Sequence, residues 1–214
     1  MPACALCGTP APSPYRAPPP EMAPDLDMRP GEPARSTLPR WIALCRGCGA
    51  CAPDLAALPP AAAAITGSAR YRAIPSRFLR WAALVAGTPD EAEALLQAAW
   101  SADDRGEDGS DLRRRAAAVW PEPRDAEQGL RLVDVLRRAG AFDAAAARLP
   151  ALMDAADETS RRIASFQQAR IAARDTGRYL LSSALPPPAH MPHVARGKPA
   201  AQGFWGRLFN GQAR

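Results

Sequence analysis

Thr88-Pro89-Asp90-Glu91-Ala92-Glu93-Ala94-Leu95-Leu96-Gln97-Ala98-Ala99-Trp100 reads as the start and the buried face of one helix. Thr88 is a capping type, Pro89 suits the first helical position, and Glu91 stands three residues after the cap, where its carboxylate can reach back. Ala92, Leu95, Leu96, Ala99 and Trp100 recur at i, i+3, i+4, i+7 and i+8, the period of one apolar stripe. Asp125 and Gln128 repeat the capping pattern ahead of Leu130, Val133 and Leu136. Residues 76–86, 111–120, 142–155 and 158–174 are further helix candidates, with breaks at Gly87, Pro121/Pro123, Gly140 and Gly177. Breaks this short predict antiparallel neighbours. The expected fold class is mainly α, with the helical domain over residues 61–185.

A weak internal repeat supports this. Residues 79–96 align with 132–149 at Leu79/Leu132, Ala86/Ala139, Gly87/Gly140, Asp90/Asp143, Ala92/Ala145, Ala94/Ala147 and Leu96/Leu149. The shared element is helix, Ala-Gly turn, Asp, then Ala five residues after the Gly. Gly permits a left-handed turn, and the small Ala lets paired helices approach closely. The element resembles the turn of a tetratricopeptide (TPR) helical hairpin, which implies an antiparallel TPR-like stack. Elsewhere the chain departs from that repeat. Ser76, Arg80, Gly129 and Val133 stand at its aromatic and Gly positions, and the offset of 53 residues exceeds its period of about 34. An unrelated helical bundle is the alternative.

The chain has 214 residues, 47% of them apolar and 6% aromatic. Much of the apolar share is alanine, which buries little surface, so core strength is expected to rest on Phe78, Trp81, Trp100, Trp120, Phe142 and Phe166. Residues 1–60 balance five Arg against Glu21, Asp25, Asp27, Glu32 and Asp54. Residues 186–214 carry Arg196, Lys198, Arg207 and Arg214 with no acid. No apolar run approaches the ~20 residues of a membrane helix. MPACALCGTP has neither a basic n-region nor an apolar h-region. The expected location is cytoplasmic, where thiols stay reduced and five cysteines favour metal over disulfides.

Those cysteines have a pattern. Cys4-Ala5-Leu6-Cys7-Gly8 and Cys45-Arg46-Gly47-Cys48-Gly49 are both C-x-x-C-G. Two thiolates at this spacing can reach one ion across a tight turn, and the Gly lets amide N–H groups point at the sulfurs. Two corners supply the four soft ligands of a tetrahedral Zn²⁺. A small zinc ribbon is therefore expected over residues 1–60, its Pro-rich stretch 9–40 forming a loop between the corners and Trp41-Ile42-Ala43-Leu44 a short strand. Iron–sulfur binding uses the same ligands. Redox chemistry at a single C-x-x-C and four unligated thiols are further alternatives. Cys51 also lies three residues after Cys48 but lacks the following Gly. Cys4, Cys7, Cys45 and Cys48 are the favoured ligands, with Cys51 a spare.

The segment resembles a bacterial zinc-ribbon family of unknown function in which paired C-x-x-C-G corners precede TPR-like helices. The matching residues are the two corners, Asp25-Leu26-Asp27 and Leu38-Pro39-Arg40-Trp41. The resemblance covers about residues 1–60 and implies no activity.

Other chemistries find little support. Only His190 and His193 exist, both in the Pro-rich tail, so a positioned base is missing. There is no phosphate-binding Gly loop. Four Cys ligands close a zinc site against substrate. Asp103-Asp104 and Glu107-Asp108 read as a solvated turn, and Arg113-Arg114-Arg115 as a solvated helix face. The expectation is a non-catalytic zinc protein, a scaffold or adaptor for a protein or peptide. The alternative is a nucleic-acid-binding zinc-ribbon module, disfavoured by the neutral count over residues 1–60. The tail, 186–214, reads as disordered and basic. Its Phe204, Trp205, Leu208 and Phe209 fall on one face of a short helix suited to docking on a partner or an anionic membrane.

Overall fold

The computed structural model describes residues 2–155 and 157–185. The sequence expectations for His190, His193, Phe204, Trp205, Leu208 and Phe209 lie outside the described residues. Helices dominate the rest. A 3-10 turn at Arg35–Arg40 leads into a hairpin of β1 (Ala43–Leu44) and β2 (Cys51–Ala52), antiparallel with Leu44 opposite Cys51. Then come α1 (Ala62–Thr66), α2 (Ala69–Arg72), α3 (Arg77–Leu84), α4 (Glu91–Asp104), α5 (Ser110–Ala118), α6 (Ala126–Arg138), α7 (Phe142–Ala155), α8 (Glu158–Ala172) and α9 (Leu181–Ala184). No helix among the described residues is long and apolar enough to cross a membrane.

Local chemistry sets the helix starts. The side chains of Ser76, Asp125 and Asp157 accept from the N–H groups of Leu79, Gln128 and Ser160. Gln128 completes its box by accepting from the Arg124 N–H. At α4, Thr88 Oγ1 accepts from Asp90 N, while Glu91 reaches back to Gly87 N. Glu91 reaches one residue further than expected because the Thr88 N–H is already bonded to Val85 O. Every residue of the α4 stripe, Ala92, Leu95, Leu96, Ala99 and Trp100, is buried.

The repeat has a structural counterpart. Gly87 and Gly140 are both left-handed, with φ of 78° and 75°, and Ala92 and Ala145 are both buried where their helices meet neighbours. Helix directions alternate. Gly129 at the start of α6 faces Leu152 near the end of α7, so that pair is antiparallel. Gln167 of α8 donates to Leu130 O, and Arg137 donates to the carbonyls of Asp175 and Gly177, so α6 and α8 run parallel. Leu130, Val133, Leu149 and Ile163 form one core; Phe78, Leu95, Trp100 and Val135 form a second.

Two sequence expectations change here. The 9–40 stretch is a loop up to the 3-10 turn at Arg35–Arg40, and its middle runs into the interior rather than simply joining the corners. Asp25, Leu26, Asp27 and Arg29 are buried between helices, and Leu26 packs with Leu130, Ile163 and Leu181. The Leu26 N–H donates to Tyr179 O, and the Leu181 N–H to Pro24 O. A tight turn with Met28 left-handed (φ 66°) presents the Asp27 carboxylate inward. Its Oδ2 accepts from Trp100 Nε1 (3.0 Å) and Arg138 Nη1 (2.7 Å), with Arg113 Nη2 at 3.5 Å. The Asp27 carbonyl accepts from Arg131 Nε.

The second change follows from the first. Arg113 is 2% exposed, not solvated, and Asp103 bridges it to Arg138 at 2.6 and 2.8 Å. Asp104 pairs with buried Arg29. A buried carboxylate needs cations and a buried guanidinium needs acceptors, so Arg113 turns inward with Asp103, while Arg114 and Arg115 stay exposed as the sequence reading expects. Asp104, Glu107 and Asp108 are exposed as expected, Glu107 pairing with Arg105 and Asp108 capping Ser110.

Candidate metal centre

The two cysteine corners are built alike. Gly8 N donates to Cys4 O at 2.9 Å, and Gly49 N to Cys45 O at 3.0 Å. Cys4 N donates to Thr9 O, and Cys45 N to Ala50 O, at 2.9 and 2.8 Å. Gly8 and Gly49 have φ of 70° and 76°, the left-handed geometry that the spacing predicts. A bridge between Ala3 and Pro10 matches the Leu44–Cys51 pairing of the hairpin. Cys51 thus occupies the position that Pro10 fills in the first corner, one step past the ligand turn.

The corners face one another. The Sγ atoms of Cys4, Cys7, Cys45 and Cys48 all lie within 4.8 Å of each other. Cys7 and Cys45 are 3.5 Å apart, and Cys4 and Cys48 are 3.8 Å apart. A disulfide requires about 2.05 Å. A tetrahedron with Zn–S bonds of about 2.3 Å sets its sulfurs about 3.8 Å apart. These short distances join one corner to the other, as four ligands of one ion require; a redox pair would close within a single C-x-x-C. The four cysteines can hold a metal ion.

Packing enforces the approach. A Cβ on Gly47 would meet Thr9 Oγ1 at 2.2 Å and Cys7 Sγ at 3.1 Å, so Gly47 lets the second corner touch the first. Beneath the sulfurs, Cys4 and Cys45 pack with Leu55, Leu58, Tyr71 and Leu84, which seats the site on α2 and α3. α1 and α2 were not legible in the sequence; their alanine-rich stretch has no apolar period to read.

The thiols differ in character. Burial raises Cys4, and burial pushes Cys48 up to about 12. The hydroxyl and then the N–H of Thr9 pull Cys7 down to about 6. Backbone N–H groups of Leu6 and Cys7 point to Cys4, and that of Ala50 to Cys48, each favouring thiolate. Cys51 lies apart, fully buried against Phe78 and Ile42, with its Sγ on Gly49 O and burial raising its pKa.

Sequence reasoning found all four sulfurs. It missed the contact of Gly47 with Thr9, for which the only sequence signal is a Gly inside the second C-x-x-C. Comparison of the chain with protein-family models, curated proteins and solved structures gives no match.

Proposed function

We propose that this is a non-catalytic protein in which one structural Zn²⁺, held by Cys4, Cys7, Cys45 and Cys48, fastens the amino-terminal segment to a helical scaffold that receives a protein or peptide partner. The observation that carries the metal reading is the group of four sulfurs within 4.8 Å. Four thiolates complete the coordination of the ion and leave no position for water or substrate, which favours a structural role over a catalytic one. The alternating helices, with small Ala92 and Ala145 at their contacts, support the scaffold reading. A bacterial cytoplasmic setting keeps the thiols reduced and fits the same picture.

Elemental analysis of natively purified, reductant-treated protein tests the metal reading. The expected result is one zinc per chain, lost in the Cys4→Ser/Cys45→Ser double variant. Iron with acid-labile sulfide, or no stoichiometric metal, would overturn it.

A further inference from the structure

The neutral charge count of residues 1–60 hides an uneven surface. Asp25 pairs with Arg35, Asp27 is buried among Arg113, Arg138 and Trp100, and Glu32 accepts from the Ser36 N–H. Of these acids, Asp25 and Asp27 are buried. Residues 36–89 then carry Arg40, Arg46, Arg70, Arg72, Arg77 and Arg80 against a single acid, Asp54. Arg46, Arg70, Arg72 and Arg77 are exposed, and no carboxylate or carbonyl among the described residues holds them. By contrast, Arg29, Arg35, Arg113, Arg131, Arg137 and Arg138 are all paired with carboxylates.

Two of these arginines adjoin the second corner. Arg46 is inside it. Arg72 lines, with Gly47, Cys48, Gly49 and Gly67, a shallow concavity of about 670 Å³. The Arg80 guanidinium donates to Arg72 O and Ile74 O, which ties α3, with exposed Arg77 at its first residue, to α2. The glycines leave backbone open to close approach. Four thiolates around a divalent ion leave two negative charges, against the four exposed arginines Arg46, Arg70, Arg72 and Arg77.

We propose that the second cysteine corner, α2 and the start of α3 form a face for the phosphate backbone of nucleic acid, with Arg46, Arg72 and Arg77 contacting phosphates. Guanidinium forks match phosphate oxygens, and release of condensed counterions drives such binding. An anionic membrane would call for several exposed apolar anchors, and Ile65 is the sole exposed large hydrophobic within 36–89. This adds a partner class to the scaffold reading and does not depend on the protein partner.

The test measures anisotropy of a labelled mixed-sequence DNA duplex against the full, metal-loaded chain from about 50 to about 200 mM salt. The triple variant Arg46→Ala/Arg72→Ala/Arg77→Ala is expected to reduce the salt slope by about 0.9 per lost contact, roughly 2.7 in all. Arg148→Ala/Arg161→Ala/Arg162→Ala removes the same formal charge from α7 and α8 and is expected to leave the slope as in the parent. An Arg→Lys triple at positions 46, 72 and 77 should restore most of the slope, which separates lost contacts from lost folding. Equal slopes for the two alanine triples, no duplex binding at the lowest salt, or binding to phosphatidylcholine–phosphatidylserine vesicles with none to duplex would overturn the proposal.

Discussion

The cysteine corners and the Asp25–Arg29 turn both come from the first sixty residues, both are irregular backbone, and they are ordered by opposite means. The corners leave Cys7 exposed and bury Cys4 and Cys45 on Leu55, Leu58, Tyr71 and Leu84. What brings them together is a set of sulfurs that an ion can share. The turn lies between helices, and what holds it is burial with direct pairing of Asp27 to Arg113 and Arg138. On the function proposed above, the first region depends on a bound ion, whereas the second is held by the chain's own side chains. Chain with too few apolar residues to fold alone can be ordered by either chemistry, and here the two act on adjacent stretches.

The sharpest break of this contrast is Asp27→Ala. It leaves two buried guanidinium groups sharing only Asp103, and removal of one partner of a buried pair costs about 3–5 kcal/mol. We expect the lower end, because Asp103 still touches both arginines. Chemical denaturation should show the loss across the whole helical transition, with metal content unchanged.

The same carboxylate gives a pH signature. Arg138 and Arg113, with the Trp100 N–H, hold Asp27 below the usual carboxylate range despite its burial. Its contribution is full above the unfolded value of about 3.9 and is lost as pH falls through the lower folded value. Stability of the parent should therefore fall more steeply below about pH 4 than that of Asp27→Asn, when both are followed by denaturant titration.

Gly47→Ala sharpens the other side. The added methyl meets Thr9 and Cys7, and overpacking of this kind costs about 1–3 kcal/mol. The penalty should appear as weaker metal retention against a chromophoric chelator, while the helical transition stays near that of the parent. The smallest effect is expected from Cys51→Ala. It removes one buried sulfur from the core around Phe78, so stability should drop by about 1 kcal/mol with metal stoichiometry unaltered. A drop in metal content would instead make Cys51 a ligand.

The corners were legible because their chemistry is local. C-x-x-C-G fixes two ligands and one left-handed Gly within five residues, and Asp125 with Gln128 likewise announces α6 over four. The Asp27 network was not legible, because its partners lie 73 to 111 residues away in sequence. Such pairing has no period, and a run such as Arg113-Arg114-Arg115 reads as a surface until the helix orientation is known. The neutral tally of residues 1–60 is silent on placement, since counting cannot tell buried Asp25 and Asp27 from exposed Glu21.

Hydrogen exchange of the metal-loaded and the chelator-treated full chain tests the central contrast most directly. Chelation is expected to strip protection from the amides of Cys4, Gly8, Cys45 and Gly49, whose bonds close the two corners, while amides of α6 and the Leu26 N–H bonded to Tyr179 keep theirs. Unchanged protection at the corners, or simultaneous loss in α6 and at Leu26, would contradict it.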